Sequence, residues 1–404
     1  MKILHISSNG EIGGREKMLY LLVSQETLDP RLTPSVYMKH MRGPYYQKIK
    51  AIGINIFTSL KGNIFSNLIS NVRLFENFDI LVFHFVDLQL FIAAVLSGKP
   101  RLYRLSGIYL LSKRRIREVL GLLLKRLMGP GLRQRSNPVQ EKNIVKSSKL
   151  PNSRSFRRVI KRWYFSFFLR TFFSQIIVNS RYTMSCAEKY YGVSHSKIKV
   201  IYNGVELFFE RPRQNDIRSE FGIQSDDFVV GTVCRFDVRK RIDRLLSGFN
   251  ELDKNDRIKL LIVGGGDDNL EGQFKAFVQN NNLTGRVFFS GLRENAEALI
   301  DTMDLFVLPS DNETFGLALV EAMLLEKPTV VFSDSGGPVE IIANNSFGYI
   351  IRNPCDLKNI VNELYKDPVL KIKKGKEAKA YASDKFSVAR FQSEFKTIYQ
   401  FYQS

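Results

Sequence analysis

Two carboxylates, Glu313 and Glu321, sit in the stretch of this chain best suited to chemistry, Ser310-Asp311-Asn312-Glu313-Thr314-Phe315-Gly316-Leu317-Ala318-Leu319-Val320-Glu321-Ala322-Met323. An apolar run, Leu305-Phe306-Val307-Leu308-Pro309, precedes it, and a second, Thr329-Val330-Val331-Phe332, follows. This pattern predicts strand, loop, helix, strand, with the helix beginning near Gly316 and Glu313 in the loop before it. On that helix Leu317, Glu321 and Leu324 share one stripe, so Glu321 lies among apolar side chains. A carboxylate there is costly unless something hydrogen-bonds to it. Ligand hydroxyls would suit both carboxylates, and the free N–H groups and positive dipole end of the helix suit phosphate. A polyhydroxylated, phosphorylated ligand such as a nucleotide sugar would satisfy all three. The plainer alternatives are a capping or helix-dipole role for Glu313 and a structural ion pair for Glu321.

Cations follow the same logic. The loop Cys234-Arg235-Phe236-Asp237-Val238-Arg239-Lys240-Arg241 runs from a predicted strand, Phe228–Val233, to a helix over roughly Ile242–Leu252. Arg235 and Lys240 at a strand's carboxyl end beside a helix start form a phosphate site by simple electrostatics, with a solvated basic loop as the alternative. After strand Ile258–Val263, the turn Gly264-Gly265-Gly266 has room for a nucleoside. Near the start, Ser7-Ser8-Asn9-Gly10-Glu11-Ile12-Gly13-Gly14 follows the first strand, and its glycines allow backbone to approach a ligand. His84, after Asp79–Phe83, and Ser106-Gly107, after Pro100–Leu105, lie at carboxyl ends of strands, where open α/β sheets place ligands. They are acceptor or sugar-side candidates, although a lone histidine is also commonly an ordinary polar residue.

The elements that position these groups alternate between strand and helix. Lys2–Ile6, Pro34–Met38, Ile54–Phe57 and Asp79–Phe83 read as strands, with helical stretches at Gly13–Val23, Tyr45–Ala51 and Phe65–Glu76. Such alternation implies a parallel sheet covered on both faces. The pattern restarts at Phe228, and 404 residues suit two domains. Cys186, Cys234 and Cys355 have no metal-ligand spacing and are odd in number, which fits free thiols in a reducing compartment. Lys2–Ile6 is too short an apolar run for a signal peptide.

The net charge of +20 is concentrated: Lys99–Arg170 holds 20 basic and 2 acidic residues, against 40 and 38 in the remainder. Within it Lys113–Met128 reads as a cationic amphipathic helix. Phe156–Phe173 interleaves aromatics, among them Trp163, Tyr164, Phe165, Phe167, Phe168, Phe172 and Phe173, with Arg157, Arg158, Lys161, Arg162 and Arg170. That mixture suits an anionic bilayer surface, and it falls short of the roughly 20 apolar residues of a membrane span. A core aromatic face with solvated charges is the second reading. Nucleic acid is the third, unsupported by any accompanying binding motif.

Glu313…Glu321, followed by Gly336-Gly337-x-x-Glu340, resembles the retaining glycosyltransferases of family 4, which have the GT-B fold. Gly13-Gly14-x-Glu16 resembles that family's first loop, while Ser106 stands where a histidine commonly precedes the second glycine. Asn203-Gly204 and Ser290-Gly291-Leu292-Arg293 are also placed as in the family. The resemblance implies an α/β protein of two Rossmann-like domains with a cleft between them. Residues 1–205 would form an acceptor-binding domain with a basic insertion at about 108–172, residues 206–385 a nucleotide-sugar domain, and residues 386–404 a helix crossing back to the first. It further implies retained anomeric configuration, no cofactor and no bound metal, with a UDP-sugar as the default donor. The diphosphate would be clamped by Arg235, Lys240 and the Gly316 helix terminus, with Gly13, Gly14, Gly265, Arg293 and the backbone of Phe315, Gly316 and Leu317 also on the donor. Glu313 would hold sugar hydroxyls and Glu321 the ribose diol. Expected partners are a lipid-linked or polysaccharide acceptor and an anionic membrane surface through Lys113–Arg170, at the cytoplasmic face of the plasma membrane, without nucleic acid. Two other classes remain: a glycoside hydrolase using Glu313 and Glu321, which would have no diphosphate to hold, and a non-enzymatic membrane or nucleic-acid binder.

Overall fold

A computed structural model describes residues 1–11, 13–58, 64–85, 87–106, 165–207, 214–253, 255–293, 295–342 and 347–403. Within these the strands fall into two groups. β1 (Lys2–Ser7), β2 (Thr33–Met38), β3 (Ile56–Phe57), β4 (Ile80–Phe83), β5 (Arg101–Leu105), β6 (Gln175–Val178) and β7 (Ile198–Val200) form one sheet in the order β3-β2-β1-β4-β5-β6-β7. β8 (Phe228–Val233), β9 (Ile258–Val263), β10 (Val287–Gly291), β11 (Leu305–Leu308), β12 (Thr329–Phe332) and β13 (Gly348–Ile351) form the other, ordered β10-β9-β8-β11-β12-β13. The recorded strand pairings in both sheets are parallel. The inner strands therefore bury both faces and read as unbroken apolar runs such as Ile80–Phe83 and Leu305–Leu308, every residue of which is buried.

The expected strands are present, with ends displaced by a residue or two. A helix at Leu88–Leu96 adds to the expected set, capped by Asp87, whose side chain accepts from the amides of Gln89 and Leu90.

The chain's last two helices divide their loyalty. Pro368–Lys385 packs on the second domain, burying Ala378 and Ala382 with Leu319 and Met323. Val388–Phe401 returns to the first: Phe391, Phe395, Ile398 and Tyr399 share one core cluster with Ile3, Met18, Leu22 and Ile177. Gly204, at the crossover, has no room for a side chain beyond Cα, since a Cβ would lie 2.9 Å from Val388 Cα.

Residues 107–164, and with them most of the basic segment including Lys113–Met128, lie outside the described residues. Its described end departs from the bilayer expectation. Residues 165–171 are helical, Leu169 and Phe173 are fully buried, and Phe168 and Phe172 place their rings 4.5 and 5.3 Å from Phe91. These aromatics seal the outer face of the first sheet, because their helical spacing matches the apolar face of Leu88–Leu96.

Candidate functional site

In each sheet the chain order reverses at one place, between β1 and β4 and between β8 and β11. Loops leaving the carboxyl ends of neighbouring strands there run in opposite directions and open a crevice. The first crevice receives the Gly13-Gly14 loop and His84, and the second the Arg235–Lys240 loop and Glu313. The two crevices face each other: Thr314 Oγ1 donates to the Ser106 carbonyl at 3.2 Å, and Tyr182 OH donates to Asn312 Oδ1 at 2.8 Å. Glu340 lies beside the N-terminus of the Arg181–Tyr191 helix of the first domain, accepting from the amides of Arg181 and Tyr182 at 2.9 and 3.0 Å.

In the second crevice Lys240 Nζ donates to Glu313 Oε2 at 2.5 Å, with both side chains about one-fifth exposed. Two residues chosen from separate motifs thus meet. Arg235 is exposed, with no ion pair among the described residues. Burial pushes the nearby Cys234 thiol up to about 12, so it is no thiolate nucleophile at neutral pH. Gly316 has φ +88 and caps the Leu317–Leu324 helix, a conformation that only glycine adopts freely. The loop before it is braced. Glu313 N donates to the Ser335 carbonyl, and Gly337 N donates to the Glu313 carbonyl. Beneath it Arg244 is 8% exposed and donates to the carbonyls of Pro309 and Ser310 at 2.5 and 2.9 Å, with Asp334 at 2.8 Å and the Phe332 ring at 3.8 Å.

Glu321 takes the ion-pair alternative. Lys17 Nζ, on the first domain's helix Gly14–Glu26, donates to Glu321 Oε1 at 2.6 Å and to Glu297 Oε1 at 2.9 Å. Burial alone would lower the Lys17 pKa, but the charges of Glu321 and Glu297 outweigh it and hold the ammonium above the ordinary lysine value. One turn earlier, Gly14 meets Leu317, where a Cβ would lie 2.8 Å from Leu317 Cδ1. Leu317 thus touches both domains, while the Phe315 side chain is core, 1% exposed and packed on Tyr202 and Phe386. Only the backbone of Phe315 remains for a ligand.

His84 corrects an expectation. It points into the first domain, 1% exposed, with Nε2 3.1 Å from His5 Nδ1. His5 Nε2 is 2.7 Å from Glu26 Oε2, and Tyr399 OH donates to Glu26 Oε1 at 2.7 Å. With Glu26 accepting from both, His5 Nδ1 accepts from His84 Nε2–H, leaving His84 Nδ1 as a buried acceptor without a partner among the described residues. Burial, then His5, Arg104 and Arg15, depress the His84 pKa well below its ordinary value, so it is neutral. Arg104, on the neighbouring strand β5, is also buried, bonded to Asn203 Oδ1 at 2.7 Å. Ser106 stays at the cleft, through its carbonyl. Arg293 is directed to Glu220, with its guanidinium 5.9 Å from the Phe221 ring, and Gly265 lies against Leu292. Sequence reasoning missed Lys17, Glu297, Arg244, Tyr182 and Thr314, whose residue types in helices and loops carry no distinctive spacing.

Among the described residues no group of three or more His, Cys, Asp and Glu is arranged to hold a metal, and no helix is long and apolar enough to cross a membrane.

The family model described as Glycosyl transferases group 1 matches residues 213–384, and that described as Glycosyltransferase Family 4 matches residues 139–208. N-acetyl-alpha-D-glucosaminyl L-malate synthase of Bacillus anthracis is 27% identical over 50% of this chain and 53% of its own length. Poly(ribitol-phosphate) alpha-N-acetylglucosaminyltransferase of Staphylococcus aureus is 28% identical over 50% of this chain and 44% of its own. The chain thus spans about half the length of these curated relatives. Anabaena HepE, solved in complex with UDP-glucose, superposes with a TM-score of 0.76 at 20% identity, covering 99% of both chains. The two α/β domains have the GT-B architecture, and the two family models that match, each over less than half of the chain, are both of glycosyltransferases.

Proposed function

We propose that this protein transfers a sugar from a nucleoside-diphosphate sugar, with UDP as the default nucleotide, to an acceptor hydroxyl with retention of anomeric configuration. The observation that carries the reading is the Lys240–Glu313 pair at 2.5 Å, held at the mouth of the second crevice beside the Gly316 helix terminus. A donor diphosphate would take Lys240 and Arg235, and release Glu313 for the sugar hydroxyls. The bond from the anomeric carbon to the diphosphate breaks, the acceptor oxygen bonds that carbon, and the acceptor proton passes to the departing phosphate oxygen. Charge grows on the diphosphate as the bond breaks, so preorganised cations and helix N–H groups stabilise the transition state without a side-chain base. Losing one such contact costs about 2.7–4 kcal/mol of transition-state stabilisation.

Arg235→Ala with Lys240→Ala is expected to abolish transfer while the circular dichroism spectrum and melting temperature stay near wild type. Near-normal activity of that double variant would refute the clamp. Thermal-shift screening of nucleoside diphosphates and their sugars identifies the base and sugar, since a ligand held by the native state raises Tm by mass action.

For the acceptor we propose a lipid-linked or growing surface polysaccharide, met at the cytoplasmic membrane face. The relatives' names support it, because they include a poly(ribitol-phosphate) transferase and an O-antigen biosynthesis glycosyltransferase. So does the excess of basic residues in Lys113–Arg170. Flotation with anionic but not zwitterionic liposomes, weakened by salt, is the expected result; equal binding to both vesicle types removes the electrostatic account.

A further inference from the structure

We propose that Lys17 positions the donor's ribose: it holds one oxygen of Glu321, leaves the other for a vicinal diol, and fixes the two domains at the spacing in which that diol is reached. The inference rests on the donor reading given above. Three observations argue that this ion group is built for a ligand and is more than a brace.

The first is charge. One ammonium is shared by two carboxylates, Glu321 and Glu297, and the three side chains are only 10–12% exposed. A self-sufficient brace would close its charge; among the described residues this one keeps a surplus negative charge at the cleft, where desolvation makes it costly. Hydroxyl donors relieve such a site, because a carboxylate accepts at about four lone-pair positions.

The second is the state of Glu321 itself. Its Oε1 is taken by Lys17, while Oε2 has no hydrogen bond among the described residues and is not among the sealed, unsatisfied atoms. The pair leaves this second oxygen as an acceptor on a helix whose N-terminus is the proposed phosphate site.

The third is geometry. Gly14 on Leu317 and Lys17 on Glu321 are two contacts between the same pair of helices, one turn apart on each. Two contacts at that separation fix the angle between the helices as well as their distance. Glu297, at the start of the Ala296–Asp301 helix, holds Lys17 from a third direction. The carboxylate meant for the ribose is thus oriented by the domain that does not carry it, and Lys17 is a positioning residue.

The test measures UDP, GDP, ADP and CDP binding by calorimetry, then the discrimination between UDP and 2′-deoxy-UDP. The wild type should bind UDP and discriminate against the deoxy form. Lys17→Met should lose roughly tenfold or more in UDP affinity, the scale of one charge-assisted hydrogen bond, with most of the 2′-hydroxyl discrimination. Its KM for the sugar nucleotide should rise more than kcat falls, and Lys17→Arg should recover part of both losses. Lys17→Gln, which keeps a donor of similar length, serves if the methionine variant does not fold, and is expected to retain little discrimination. A folded Lys17→Met or Lys17→Gln protein that binds UDP and rejects 2′-deoxy-UDP as the wild type does overturns the positioning role alone. A wild type that binds none of the four nucleotides overturns this inference together with the donor reading.

Discussion

The two crevices share a topology and differ in chemistry. At the β1/β4 reversal the titratable groups on the strand ends point inward: His84, His5 and Arg104 are all nearly or fully buried, and the rim is formed by the Gly13-Gly14 backbone, Arg15 and Lys17. At the β8/β11 reversal the charges stay accessible, with Arg235 exposed and Lys240 and Glu313 half-sealed. The same fold therefore produces one crevice that offers shape and one that offers charge. The difference lies in what covers each sheet. The returning helix Val388–Phe401 seals the first sheet on the side where His5 and Arg104 project, while Arg235 of the second domain is exposed.

Three measurements press on this contrast, beginning with the largest effect. Gly337→Ala would set a Cβ 2.2 Å from the Thr314 carbonyl oxygen and 3.1 Å from Phe315 N, both backbone atoms. The Glu313 loop has to move, so transfer activity should be lost, with a destabilisation of about 1–3 kcal/mol by urea denaturation. Gly14→Ala meets only the flexible end of Leu317, which can yield at some cost to the domain contact, so its loss should be smaller than that of Gly337→Ala; equal losses from both would break the contrast between a rigid and a yielding rim. Next, Arg244→Met removes two charge-assisted bonds to loop carbonyls. We expect about 2 kcal/mol of lost stability, discounted for the exposed Asp334 partner, with kcat falling more than nucleotide affinity. Unchanged kcat would show that the loop is held without its buttress.

The smallest effect is a pH dependence belonging to the first crevice. His84 is held neutral, faced by His5, Arg104 and Arg15, and its folded pKa lies well below the ordinary 6.5. Below that ordinary value the unfolded chain binds a proton that the folded one refuses, so stability is complete above it and falls with falling pH. Urea midpoints at about pH 5.5 and about pH 7.5 should differ less for His84→Asn than for the wild type. An identical pH slope in the variant would remove His84 as the source.

What could be read from the sequence follows from how locally each feature is encoded. The alternation of apolar runs predicted both sheets, since the parallel strands are buried on two faces. Glu313 and Lys240 were legible because each ends a strand run beside a helix start, and adjacent strands bring such loops together. Lys17 was not, since a lysine on the first turn of a helix looks like any solvated charge until the other domain is in place. For His84 the sequence leaves both a ligand-side and an ordinary polar role open for the same reason: its strand end is visible, but the returning helix that buries its neighbours lies over 300 residues away in sequence. For Glu321, the apolar stripe correctly signalled a carboxylate in need of a partner, and both the cation and the ligand reading fit the one residue. Phe168, Phe172 and Phe173 read as interfacial because aromatic periodicity does not distinguish a bilayer from a neighbouring helix such as Leu88–Leu96.

The Tyr399–Glu26 bond has a consequence for synthesis on the ribosome. The strands of the first domain precede those of the second, yet Ile3, Met18 and Leu22 gain their cover of Phe391, Phe395 and Tyr399 only after the second domain has been made. Throughout translation of the second domain, that half-made unit presents a greasy flank and a carboxylate lacking its phenol. Such a nascent species is prone to association and is a natural client for chaperones.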